Sequence, residues 1–239
     1  MEPGYSTILR RPLDFTMWAL WFLATAGPWA IWGLSVYLLT RTDFDALSDT
    51  FSYLPLVGAV IGVLQSLVLR KYVFAKWWWA WGLLTWVGWL VALVILGLGA
   101  FFSVGVMMNP DTFDNSPILQ CIWLCACGIA GWAIGTPQSA YFRRYLSNLR
   151  SEWIAISVSA LMFGGFIGRL AGTIAYKVAT GDRYIYHDSP GQSMSTAIGI
   201  TVAGMIFGAI TGGMLIWVLQ INAKDELYAQ IQDGSDAIR

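Results

Sequence analysis

Six apolar runs separated by short polar segments make up most of the chain. Each is close to or above the roughly 20 residues that a helix needs to cross a hydrocarbon core of about 30 Å. The pattern predicts helices at about 16–39, 53–70, 77–105, 118–142, 152–178 and 194–221. A polar arm, 1–15, precedes them, and the tail, 222–239, begins as a helical continuation from Lys224 to Ile231. Gly27-Pro28 inside the first run predicts a kink, because proline removes a backbone donor and crowds the preceding turn. The segment 40–52 sets Asp43, Asp45 and Asp49 beside Phe44, Leu47 and Phe51. That spacing fits a short amphipathic turn on the membrane interface or an ordinary polar loop.

A second pattern lies inside the apolar runs. Gly58, Gly62, Gln65, Ser66, Leu69, Arg70, Lys71 and Tyr72 return 73 residues later as Gly131, Gly135, Gln138, Ser139, Phe142, Arg143, Arg144 and Tyr145. The glycine pair returns once more at the same step, as Gly204 and Gly208, but there the glutamine position is Thr211 and the basic pair is gone. The recurrence indicates an internal repeat whose unit is a hairpin: 16–70, 77–142 and 152–221. Successive units then share one orientation, which predicts a pseudo-threefold bundle around an axis along the membrane normal.

Composition agrees with this reading. The 239 residues are 57% hydrophobic and 12% charged, against about 25% charged in soluble domains. The expected fold is an all-α, polytopic integral membrane protein with one transmembrane domain spanning 1–239. No cleavable signal peptide is expected, because the first apolar run is too long and no Ala-x-Ala site follows it. A net charge of zero gives no global attraction to nucleic acid.

Charge placement orients the spans. With six crossings, one side holds Arg10, Arg11, Arg70, Lys71, Lys76, Arg143, Arg144, Arg150, Lys224 and Arg239. The other holds only Arg41, Lys177 and Arg183, so the positive-inside rule puts both termini in the cytoplasm, or in the stroma of a photosynthetic membrane. The tryptophans that open the third run, Trp77, Trp78, Trp79 and Trp81, fall where indole favours the headgroup layer. The basic pairs Arg70-Lys71 and Arg143-Arg144 suit anionic headgroups or an acidic partner.

Candidate chemistry is sparse. Gly58, Gly62, Gly131, Gly135, Gly204 and Gly208 have the four-residue spacing that lets helix backbones approach closely. The fifth run carries Gly164, Gly168 and Gly172 and the sixth extends to Gly212, so these two helices are expected in close contact. Gln65 and Gln138 are costly in lipid without partners and should point into the bundle, as interhelical glue or as ligands to a solute or a pigment magnesium. Arg169 is the one formal charge well inside a span; no carboxylate lies well inside any span to pair with it. It reads as a structural or lipid-contacting group that snorkels outward, or as an anion or substrate contact. Cys121 and Cys125 share a helix face but offer too few ligands for a tetrahedral metal, and with Cys127 they read as small hydrophobes. The sole histidine, His187, falls in a polar loop. No nucleotide loop, zinc-protease motif or serine or cysteine nucleophile with a histidine is present, and no intramembrane carboxylate is available for proton relay.

The phrases 133–145, Ala-Ile-Gly-Thr-Pro-Gln-Ser-Ala-Tyr-Phe-Arg-Arg-Tyr, and 208–219, Gly-Ala-Ile-Thr-Gly-Gly-Met-Leu-Ile-Trp-Val-Leu, carry a resemblance. The chain resembles a loosely defined group of small bacterial multi-span proteins, frequent in cyanobacteria and other phototrophs, with repeated Gly-x-x-Gln-x-x-x-Leu-Arg motifs. The resemblance implies a bacterial inner or thylakoid membrane and brings no catalytic residues. Three hairpins also match the layout of mitochondrial carriers, but the Pro-x-Asp/Glu-x-x-Lys/Arg motif of that family is absent from every odd helix. The resulting expectation is a non-enzymatic accessory or assembly subunit of a larger membrane complex, in a photosynthetic setting. Its partners would be membrane lipids and other membrane subunits; it needs no cofactor or metal, although bound lipid or pigment is compatible. The alternative is a small-solute or lipid transporter that uses the bundle axis, lined by Gln65, Gln138 and Arg169.

Overall fold

The structure, a computed structural model, describes residues 14–40, 53–72, 78–107, 117–142, 150–180 and 190–236. They form six α-helices: α1 (Phe15–Thr40), α2 (Leu54–Tyr72), α3 (Trp78–Met107), α4 (Pro117–Phe142), α5 (Arg150–Thr180) and α6 (Pro190–Asp236). All six are long and apolar enough to cross a membrane. Helix is the only element such open-chain segments can adopt in hydrocarbon, because it satisfies every backbone group internally. The protein is a multi-pass membrane protein. Asp14 caps α1, accepting the Met17 amide on Oδ1 at 3.1 Å. Both α1 and α4 run on through an internal proline, Pro28 and Pro137 respectively.

The helices close a ring in chain order. Each packs against its two neighbours in sequence, and α6 returns to pack on α1; among the described residues no helix pairs across the ring. The α5–α6 seam is the most extensive and α1–α2 the slightest.

Glycine sets how closely the helices approach. A Cβ added at Gly62 would stand 2.5 Å from the carbonyl oxygen of Gly82 on α3, and one at Gly131 would stand 2.6 Å from the Ser157 carbonyl on α5. Gly164 and Gly172 meet the carbonyls of Ala203 and Ser195 on α6, each at 2.8 Å, and Gly168 lies against the Gly199 carbonyl. The α6 run behaves differently from its neighbour. Gly204 faces Trp29, Gly208 faces Thr25 at 3.1 Å and Gly212 faces Trp21 at 2.9 Å, all on α1. Thus α5 and α6 do meet closely, but the second glycine run of the pair is spent on closing the ring.

The axis is filled by two apolar layers. One, toward the Arg70 end, gathers Met17, Trp21, Leu69, Trp81, Phe142, Trp153 and Leu215. Within it the Trp81 ring centroid stands 5.8 Å from Trp21, 5.1 Å from Phe142 and 5.7 Å from Trp153. Such offset, edge-on aromatic pairs add about 0.5–1.5 kcal/mol each beyond area burial. Trp81 is fully buried, on the side of α3 that faces the axis. Trp79, by contrast, is half exposed on the outside of α3. The second layer holds Ile61, Trp89, Ile134, Leu161 and Phe207, with Trp29 packed against it.

Candidate functional site

Between the two apolar layers runs a belt of polar side chains, one from each helix: Thr25, Gln65, Thr85, Gln138, Ser157 and Thr211. All six are buried. Helical spacing places them. On α1, α3 and α5 a tryptophan is followed four residues later by a hydroxyl (Trp21 and Thr25, Trp81 and Thr85, Trp153 and Ser157), so ring and hydroxyl share one helix face. The even helices supply Gln65, Gln138 and Thr211, one turn from the glycines that bring their neighbours close.

The hydrogen bonds form a directed chain. Gln65 Nε2 donates to Thr25 Oγ1 at 2.9 Å, and Trp81 Nε1 donates to Gln65 Oε1 at 3.1 Å. Gln138 repeats this arrangement: Nε2 donates to Thr85 Oγ1 at 2.9 Å and Oε1 accepts from Trp153 Nε1 at 2.9 Å. An indole can only donate, which fixes the orientation of both carboxamides. Thr25 passes its own proton to the Trp21 carbonyl at 2.9 Å. Trp21 Nε1 donates to Thr211 Oγ1 at 3.2 Å, and Thr211 donates to the Phe207 carbonyl at 2.8 Å. Each glutamine therefore ties three consecutive helices together, with one amide N–H donated and the carbonyl oxygen accepting inside the protein. In low dielectric such linked bonds polarise and strengthen one another.

The other sequence candidates lie elsewhere. Arg169 is half-buried on α5. Twelve residues separate it from Ser157, which puts it about 18 Å along the helix from the belt. It cannot share a site with the glutamines. Arg70 and Lys71 are exposed at the end of α2, where the Arg70 guanidinium lies 5.0 Å from the Trp78 ring centroid. Arg143, Arg144, His187 and the segment 41–52 lie outside the described residues. Cys121 and Cys125 are exposed and Cys127 is buried. Among the described residues no group of His, Cys, Asp or Glu could hold a metal. An open apolar groove of about 560 Å³, lined by Ile95, Pro117, Ile118, Cys121, Cys125 and Ile129, lies between α3 and α4. It offers hydrocarbon and thiol surface only, the lining an acyl chain would meet.

Sequence reasoning found the glutamines and missed their partners. The odd-helix residues recur at uneven steps, since Trp21, Trp81 and Trp153 are 60 and then 72 residues apart, whereas the even helices keep a constant step of 73. A search for Trp-x-x-x-Thr/Ser within the odd runs would have located them. Compared with protein-family models, curated proteins and solved structures, the chain gave no match.

Proposed function

We propose that this is a non-enzymatic accessory or assembly subunit that packs against other proteins within a membrane complex. The observation that carries the reading is the state of the polar belt. Gln65 and Gln138, the best candidate ligand groups in the spans, are buried and paired to the bundle's own tryptophans and threonines. Indole rings fill the axis beside them. A solute path along the axis would have to break both layers and the belt. The outward surface, in contrast, carries large side chains such as Trp79, Trp132, Phe163, Phe166 and Trp217, which suit lipid and neighbouring helices. The cation asymmetry supports cytoplasmic or stromal termini, and the resemblance of 133–145 and 208–219 supports a photosynthetic membrane.

Two experiments test this. Purification from the native membrane in mild detergent, with an absorption spectrum and mass spectrometry, is expected to give a co-migrating complex. Pigment bands in the spectrum would place that complex in photosynthesis, and a lone colourless particle would sink the reading. Deleting the protein is expected to lower the yield or stability of one complex and to leave solute uptake unchanged.

A further inference from the structure

The six seams of the ring are unequal, and the α1–α2 seam is the slightest. Helix length does not account for this. α2 packs far more extensively on α3 than on α1, and α1 far more extensively on α6 than on α2. The glycines show the same preference. On α1, a Cβ added at Gly33 would stand 2.7 Å from the Ala197 carbonyl oxygen of α6, whereas one at Gly27 would meet nothing within 4 Å. Both glycines of α2 turn to α3: Gly62 meets the Gly82 carbonyl, and an added Cβ at Gly58 would stand 2.6 Å from Trp89 Cβ. The first hairpin is thus divided between two packed pairs, α6 with α1 and α2 with α3.

The looseness lies on one side of the polar belt. In the layer toward Arg70 both helices supply buried side chains: Met17, Trp21 and Ala24 from α1, and Val68, Leu69 and Tyr72 from α2. In the opposite layer α2 supplies the buried Ile61, but the contribution of α1 among the described residues is the partly buried Trp29, which lies against Gly204 of α6. At the belt the seam is crossed by the bond from Gln65 Nε2 to Thr25 Oγ1, at 2.9 Å. The α3–α4 seam is crossed by the same bond, from Gln138 Nε2 to Thr85 Oγ1, also at 2.9 Å. There, however, an added Cβ at Gly88 of α3 would stand 2.9 Å from Ile134 Cα of α4. Both of those helices also fill the layer beyond the belt, with Trp89 and Ala92 from α3 and Ala130 and Ile134 from α4. The two seams share a hydrogen bond and differ in what backs it.

Local opening proceeds where few packed contacts must be broken. We propose that the ring opens at the α1–α2 seam, on the side of the belt away from Arg70, with the Gln65–Thr25 bond as its latch. The layer toward Arg70 stays closed as the pivot, and the two packed pairs move as units. The open form is a minor state in equilibrium with the closed ring. In it the Gln65 amide is reached from the membrane, while Gln138 stays enclosed. Two chemically equivalent glutamines then have different roles, one a releasable latch and the other a permanent tie.

Spin-label distances test this in a background with Cys121, Cys125 and Cys127 replaced by alanine. Leu34 and Leu56 each lie nine residues from the belt, counted from Thr25 and Gln65; Val94 and Ile129 lie nine residues from Thr85 and Gln138. All four side chains are exposed. One label pair reports on the α1–α2 seam and the other on the α3–α4 seam, each about 13–14 Å along the helices from the belt. In lipid nanodiscs the Leu34–Leu56 pair is expected to show a second, longer distance, and the Val94–Ile129 pair a single narrow one. Thr25→Val removes the latch and should raise the longer population about threefold, the effect of losing an average interhelical hydrogen bond in a membrane. Thr85→Val removes the matching bond and should leave the Val94–Ile129 distance single. Equal widths for the two pairs, or variants that open their seams alike, would overturn the proposal. If Thr25→Val does not fold, the two label pairs in the chain that keeps both threonines still decide.

Discussion

At the scale of single residues, the two glutamines matter through what they leave behind when removed. Gln138→Leu takes away two interhelical bonds and strands the Thr85 hydroxyl and the Trp153 indole N–H in the buried interior. Membrane interhelical hydrogen bonds average about 0.6 kcal/mol, with a maximum near 1.7, and stranded buried groups add to the loss. The expected destabilisation is about 1–3 kcal/mol, read from unfolding in mixed micelles. Trp153→Phe keeps a ring in the Trp81–Phe142–Trp153 cluster but removes part of a buried indole and the donor to Gln138 Oε1, so it too should destabilise. A Gln138→Leu variant as stable as the unmodified protein would mean that the carboxamide is not the tie between α3 and α5. Replacing Gln65 and Gln138 together by Leu should lower stability; a well-folded double variant whose only loss is solute flux would favour the transporter instead.

The helix scale is governed by where glycine is required and where it is not. At Gly168 a Cβ would press on the Gly199 backbone, which cannot move without parting α5 from α6. At Gly213 the nearest foreign atom to an added Cβ is Trp18 Nε1, at 3.9 Å. Gly168→Ala should therefore destabilise the α5–α6 seam, and Gly213→Ala should be neutral or mildly stabilising, in line with alanine's helix preference of about 0.5–1 kcal/mol over glycine. Thermal midpoints of the two variants, measured side by side, check this. Equal effects would mean that the glycine run on α5 does not set the distance between these helices.

For the whole molecule the decisive feature is ring closure, with α6 packed on α1. Thr25 and Gly208 are suited to testing it, since an added Cβ at Gly208 lies 3.1 Å from the Thr25 Cβ, near the roughly 3.5–4.5 Å of a disulfide. In a background with Cys121, Cys125 and Cys127 replaced by alanine, Thr25→Cys with Gly208→Cys should cross-link on oxidation. After proteolytic cleavage between α3 and α4, the first and last spans should stay joined until reductant is added. Separation without reductant would rule out the closed ring.

How much of this was legible in the sequence depends on the range of the signal. The six spans could be read because hydrocarbon imposes length and apolarity locally, segment by segment, and the helix bounds agree with the apolar runs within a few residues at most ends. The expected extra length of the last helix was also visible, though it continues to Asp236 rather than ending near Ile231. The burial demand of Gln65 and Gln138 could be read from the cost of an amide in lipid. Their partners could not. Whether Trp81 sits among headgroups or on the axis, and whether Gly204 faces α5 or α1, depends on helix rotation and on which helices become neighbours. Those are decided by packing between segments far apart in the chain: the Trp21–Thr211 bond joins residues 190 positions apart. The sequence alone determined six membrane helices carrying a recurring glycine and glutamine pattern. Tertiary structure decided that the pattern becomes a closed ring, because only close packing of all six helices brings each amide to an indole on one side and a hydroxyl on the other.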